Sequence, residues 1–151
     1  MKKKFENLSI DKLTLVQLQD DCITNGWLMS LVGIIVFGCL WLIGKKPKYY
    51  HGICPYFEIG NSGDGVEMGW FFICGKNASD HIKNHEVGHI VQNALVGGVP
   101  SFLYSLGSCC RYWKRMLFGA KTPYDSWWYE GQASELGTAF VEKVKGENKN
   151  V

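Results

Sequence analysis

His85, Glu86 and His89 stand in the run His-Glu-Val-Gly-His. On a helix, positions i and i+4 share one face, so both imidazoles can hold a single zinc ion at about 2 Å. Glu86 faces the same site without being a ligand. A carboxylate there can take a proton from an attacking water and hand it to a leaving amine. A chance match to this five-residue pattern in a chain of this composition has odds of roughly one in two hundred. The competing reading is a surface helix with two solvated histidines. It is weakened by Val87, Gly88, Ile90 and Val91, which are uncharged and predict a helix buried around its polar triplet.

A catalytic zinc takes a third protein ligand and keeps an open position. Glu130, in Trp128-Tyr129-Glu130-Gly131-Gln132-Ala133, is the best-placed candidate. Ala133, Ser134 and Gly137 follow it at helical spacing as a stripe of small side chains, and Gly88 is small on the histidine helix. Two such faces can approach closely, which a short carboxylate needs to reach the metal. The rivals are His81, Asp125, Glu135 and His51. His81 lies one turn before His85, but three histidines along one helix axis cannot easily wrap a tetrahedral ion.

Several elements must position these groups. Ser79 and Asp80 offer N-cap chemistry for a helix over 80–96, with Gly97, Gly98 and Pro100 as its stop. Residues 49–59 and 66–74 are rich in β-formers and flank a Gly/Asn/Asp cluster, which predicts a hairpin. Residues 99–119, apolar and then basic, predict a helix dipping into a bilayer with its cations at the headgroups. Thr122, Pro123 and Asp125 suit the start of a last helix that runs to about Lys145, with Gly146 just past its end.

Residues 22–44 carry no charge, and Trp27 and Trp41 lie near the two ends of their densest apolar part. A stretch of this length spans a bilayer core of roughly 30 Å as a helix. It is expected to be a single transmembrane helix rather than a cleaved signal, because the apolar run starts late and no small-residue cleavage site follows it. Lys45, Lys46 and Lys48 then place the C-terminal portion on the cytoplasmic side. The expected organisation is an amphipathic arm over 1–21, a transmembrane helix over 22–44, a metal-binding domain over 45–146 and a polar tail over 147–151. The chain has 151 residues, 46% hydrophobic and 20% charged, so it affords one packed domain. A net charge of +2 gives no concentrated basic face for nucleic acid. Six cysteines without a CxxC pair do not support a thiolate zinc knuckle. No feature of the sequence specifies an oligomeric state.

The sequence resembles the zincin metallopeptidases of the gluzincin type, with HExxH and a downstream glutamate. More narrowly, it resembles small membrane-associated zincin-like proteins of bacteria and phages. The stretches that carry the resemblance are MGWFFICGKNASD (68–80), HEVGHIVQ (85–92), LVGGVPS (95–101) and YEGQASELG (129–137). The resemblance implies an α+β zincin-like minidomain, with a short hairpin or sheet, the HExxH helix and a C-terminal ligand helix. It implies His85, His89 and Glu130 as zinc ligands and Glu86 as general base in peptide-bond hydrolysis. The strand over 66–74 would be the edge that pairs with an extended peptide or protein substrate. Tyr104, Tyr124 and Tyr129 are the candidates for steadying an oxyanion. A non-catalytic, zinc-stabilised membrane interaction module is the alternative. A membrane protein with an accidental HExxH, and an intramembrane protease, are weaker rivals.

Overall fold

The computed structural model describes residues 9–119 and 127–149. Among these residues it is a mixed α+β fold of five helices and one small four-stranded sheet. Helix α1 (Leu15–Thr24) opens with a capping box: Thr14 Oγ1 accepts from Gln17 N–H, and Gln17 Oε1 accepts from Thr14 N–H at 3.0 Å. Its Leu18 and Cys22 are buried in the main core, so the described part of the arm packs back on the domain. Lys143 Nζ fastens the preceding turn by donating to the carbonyls of Ile10, Asp11 and Leu13 at 3.0, 2.9 and 3.0 Å.

Helix α2 (Trp27–Leu42) follows a sharp break at Asn25 and Gly26. The stretch expected to cross a bilayer as one helix therefore contributes to two, α1 and α2, bent by 92°. Among the described residues no single helix is long and apolar enough to cross a membrane, and this bent pair passes that test only when taken together. The break is fixed by close packing. A Cβ on Gly26 would lie 2.4 Å from Asn93 Nδ2, and one on Gly33 would lie 2.1 Å from Met68 O. Ser30 Oγ donates to Cys22 O at 2.6 Å across the bend.

The sheet contains β1 (Lys48–Tyr50), β2 (Cys54–Glu58), β3 (Gly65–Glu67) and β4 (Phe72–Cys74), in the order β1-β2-β4-β3. The segment expected to be one strand over 49–59 is itself a hairpin, turned at His51 and Gly52 with φ of 49° and 75°. The expected strand over 66–74 is likewise interrupted, by a turn at Gly69 with φ of 84°. The expected hairpin between the two segments is replaced by a parallel pairing of β2 with β4, and β3 closes antiparallel on the outer edge. Tyr56, Phe72 and Tyr50 pack beneath the sheet with Ile90, Val91, Phe140 and Val141 in the largest core.

Helix α3 (Asp80–Val96) has Ser79 Oγ accepting from Ile82 N–H and stops at Gly97 with φ of 67°, as its capping residues predict. It is buried on nearly every side, resting on α1, the sheet and the last helix. Helix α4 (Gly98–Phe118) starts at the same corner as α2, where Gly98 N–H donates to Asn25 O at 2.6 Å. Helix α5 (Trp128–Lys149) runs through Gly146, so that glycine does not end it. Thr122, Pro123, Tyr124 and Asp125 lie outside the described residues, as do residues 1–8. Cys22, Cys39, Cys54, Cys74, Cys109 and Cys110 are all free thiols.

Candidate metal centre

The site is made by the crossing of α3 and α5. A Cβ on Gly88 would lie 1.8 Å from Ala133 O, and one on Gly137 would lie 1.8 Å from Asn84 O. Only hydrogen fits at either position, so the two backbones touch there, and the small stripe read from the sequence is the contact. Glu130, one turn before Ala133 on α5, is thereby brought under the two histidines.

Three ligand atoms converge. His85 Nε2 and His89 Nε2 are 3.1 Å apart, and Glu130 Oε2 lies 3.1 Å from the first and 3.2 Å from the second. Tetrahedral ligands about 2.0–2.1 Å from zinc stand roughly 3.3–3.4 Å from one another, so the triangle is nearly the size such an ion requires. The outer ring nitrogens are taken up elsewhere: His85 Nδ1 meets Ser134 Oγ at 2.8 Å, and His89 Nδ1 meets Gln92 Oε1 at 2.9 Å. Gln92 cannot turn its amide around, because its Nε2 donates to Tyr129 O at 3.0 Å and to Gln132 Oε1 at 2.9 Å. Its Oε1 must accept from His89 Nδ1–H, which leaves the Nε2 lone pair of His89 aimed into the triangle.

Such a cluster needs a cation, either a proton or a metal. Burial opposes the charged form of His89, yet its hydrogen bond to Glu130 wins and its pKa is pushed up to about 9. Burial raises Glu130 as well, but the hydrogen bonds from His85 and His89 outweigh it and hold this carboxyl well below the usual range. Glu130 is fully buried, and the Ser108 hydroxyl is a further hydrogen-bond donor that lowers its carboxyl. A buried carboxylate beside two converging imidazole nitrogens is a donor set that fits a metal ion. His85, His89 and Glu130 form a buried group that could hold a metal ion.

The open side of the triangle faces a cleft of about 920 Å³, bounded by α2, β3, α3 and α4. Glu86 lines it. Burial pushes the Glu86 carboxyl up to about 8 against the pull of His89. Its carboxylate also accepts from the main-chain N–H of Glu67 on the edge strand, and Gly65 makes the room, since a Cβ there would lie 2.7 Å from Glu86 Oε1. The cleft-lining strand is expected over 66–74. In the sheet order only β3 of this stretch is an edge, with β4 inside it, although Ile73 and Cys74 of β4 also line the cleft.

Of the rival ligands, His81 lies at the cleft wall, Glu135 is exposed on α5 and His51 occupies the β1–β2 turn. None of these three joins the triangle, and Asp125 lies outside the described residues. Tyr129 is buried with its ring 5.0 Å from that of His89, and Tyr104 stacks on Tyr129 at 5.3 Å, so both brace the site from behind. Tyr112, which sequence reasoning missed, does line the cleft, and its hydroxyl donates to Asp64 Oδ2 at 3.1 Å. Gln92 and Ser134 were also missed as orienting groups. The available signal was their spacing, three residues after His89 and four after Glu130 on the same helix faces. No protein-family model, curated protein or solved structure matches the chain.

Proposed function

We propose that this protein is a membrane-associated, zinc-dependent metallopeptidase. One observation carries the reading: a His-His-Glu triangle of zinc-like dimensions whose open side faces a cleft that also holds a buried carboxylate. His85, His89 and Glu130 would hold the ion, which supplies a Lewis acid that polarises a carbonyl and acidifies water towards ~7.

The chain's own residues do the rest. Glu86, fixed against the edge strand, is the general base. Buried beside the open side of the triangle, it is placed to accept a proton from the attacking water and return that proton to the leaving amine. The β3 ladder alternates, so the Gly65 main-chain groups and the Glu67 carbonyl turn away from β4 towards the cleft. An extended peptide laid along them is aligned beside Glu86. A purely structural metal site would be closed on its fourth side and would not require Glu86.

Elemental analysis and peptide hydrolysis, measured on the same preparations, test this reading. The wild type is expected to carry one zinc per chain. His85→Ala should lose it, and Glu130→Ala should hold it weakly. Glu86→Gln should keep the metal and lose hydrolysis by at least a thousandfold. Full metal in His85→Ala, or undiminished turnover in Glu86→Gln, would sink it.

A further inference from the structure

Helix α4 is amphipathic the wrong way round for a helix that faces water. Ser101, Ser105 and Ser108 turn inwards, with Ser105 Oγ meeting Tyr129 Oη at 3.4 Å. Its outward stripe is Val99, Leu103, Leu106, Trp113 and Leu117, exposed by 54%, 49%, 50%, 56% and 70%. These positions recur at steps of three, four and seven residues, so they lie on one face of the helix. Helix α2 repeats the pattern. Met29, Ser30, Gly33 and Leu40 pack inwards, while Trp27, Leu31, Ile34, Ile35, Trp41 and Leu42 are exposed. Two adjoining helices with bare apolar faces exceed what a soluble monomer ordinarily shows to water.

Charge identifies the occupant. Neither α2 nor α4 contains an Asp or Glu, and the exposed charges in and just after them are positive: Lys114 in α4, then Lys45 and Lys46 after α2, whereas Lys48 is ion-paired with Glu58 and Arg111 lies over the Trp127 ring. Both helices leave a common corner, Gly98 against Asn25, and run towards these cationic ends, where Trp41 and Trp113 are also exposed. Apolar faces ended by indoles and cations match the boundary between acyl chains and anionic headgroups. A second copy would set these like charges against one another.

We propose that the α2–α4 face lies in the plane of an anionic bilayer, without spanning it, and that the cleft takes peptide segments at the headgroup level. The cleft wall supports the second part: Leu106 and Trp113 belong to the outward stripe and also line the cleft, opposite Met29 and Val32 of α2. A chain emerging from the bilayer surface meets this mouth first. The substrate assignment rests on the metallopeptidase reading above; the docking of the face does not.

The test is flotation of the full chain with phosphatidylcholine vesicles, with and without phosphatidylglycerol, and zinc is assayed in every sample. Wild type is expected to float with the anionic vesicles, to dissociate as salt rises and to be released by alkaline carbonate. Leu103→Glu with Leu117→Glu, both outside the cleft lining, should cut binding at least tenfold with zinc content unchanged. Lys45→Gln with Lys46→Gln should cost about fivefold per lysine on anionic vesicles only. Unaltered flotation of the double-Glu protein, equal binding to neutral vesicles, or retention after carbonate would overturn in-plane docking. So would a dimer that the double-Glu change dissolves in a wild type that does not float. Normal flotation with no hydrolysis of vesicle-anchored peptides would overturn the substrate assignment alone, and loss of zinc across all samples would instead count against the metal site.

Discussion

Each histidine is oriented by a different device, and the devices differ in rigidity. Ser134 can donate or accept, so it steadies His85 without dictating its tautomer. Gln92 is locked by two acceptors on α5 and therefore dictates that of His89. Gln92→Leu should weaken metal binding 10–100-fold in competition with a chromogenic chelator, and Gln92→Glu should restore much of it; equal affinity in all three would remove Gln92 from this role. Glu67 is a second buried carboxyl in the cleft wall, hydrogen-bonded to Gly69 N–H at 2.5 Å. Burial pushes it up to about 7, against the pull of His89 and of that N–H. A folded-state pKa above the unfolded value means that ionisation opposes folding. The cost begins as pH rises past about 4.5 and is complete above about 7. Metal-free Glu67→Gln should thus gain thermal stability over wild type on going from pH 5 to pH 8, and a pH-independent difference would refute the assignment. The convergence of His85, His89 and Glu130 was legible in the sequence, because HExxH sets two histidines on one helix face and the small residues after Glu130 mark the helix that packs on it. Gln92 was not, because its role exists only once the Tyr129 carbonyl and Gln132 arrive from another helix.

Between elements, the decisive event is the contact of α3 with α5. Gly88 and Gly137 each present hydrogen to a facing backbone atom, and a methyl at either position would overlap a carbonyl oxygen at 1.8 Å. Gly88→Ala should destabilise the protein by about 3 kcal/mol or more, above the ordinary cost of overpacking, since backbone rather than a side chain must yield. The separation also draws Glu130 off the triangle. Chemical denaturation and metal content should therefore fall together, and a stable Gly88→Ala protein with full metal would show that the helices can part without cost. This crossing was readable as a stripe of small residues, and the caps of α3 were readable from Ser79 and Gly97. The strand pairing was not. Periodicity marks β-forming segments, but the turns at His51-Gly52 and Gly69 cut each into two, and which edges then pair depends on contacts far along the chain. That the uncharged run over 22–44 is divided between two helices was not legible either, for a related reason. Composition registers its apolarity, while its break depends on Gly26 meeting Asn93 and Gly33 meeting Met68.

For the molecule as a whole, the candidate metal site brings together pieces that lie far apart in the chain. Glu130 opens α5, whose later residues Phe140, Val141 and Val144 complete the core with α1, the sheet and α3. Without a cation, the first turn of α5 presents a buried carboxylate to two imidazoles, and only a shared proton relieves it. An ion that binds the folded chain and not the unfolded one adds stability by mass action, about 4 kcal/mol when free metal is a thousand times its Kd. In a domain of this size each kcal/mol moves the melting midpoint by roughly 2–4 °C, so chelation should lower Tm by about 10 °C and added zinc should restore it. The effect is expected to be local before it is global. Hydrogen exchange in the metal-free protein should rise first in the opening turns of α5 and in α3 around His85, while α1 and β2, which share no group with the site, keep their protection. Glu86→Gln should respond to chelation as wild type does, since its side chain is not a ligand, and His85→Ala should not respond at all. A melting temperature indifferent to both chelator and zinc would mean that the three converging side chains hold a proton rather than a metal, and the proposed chemistry would fall with it.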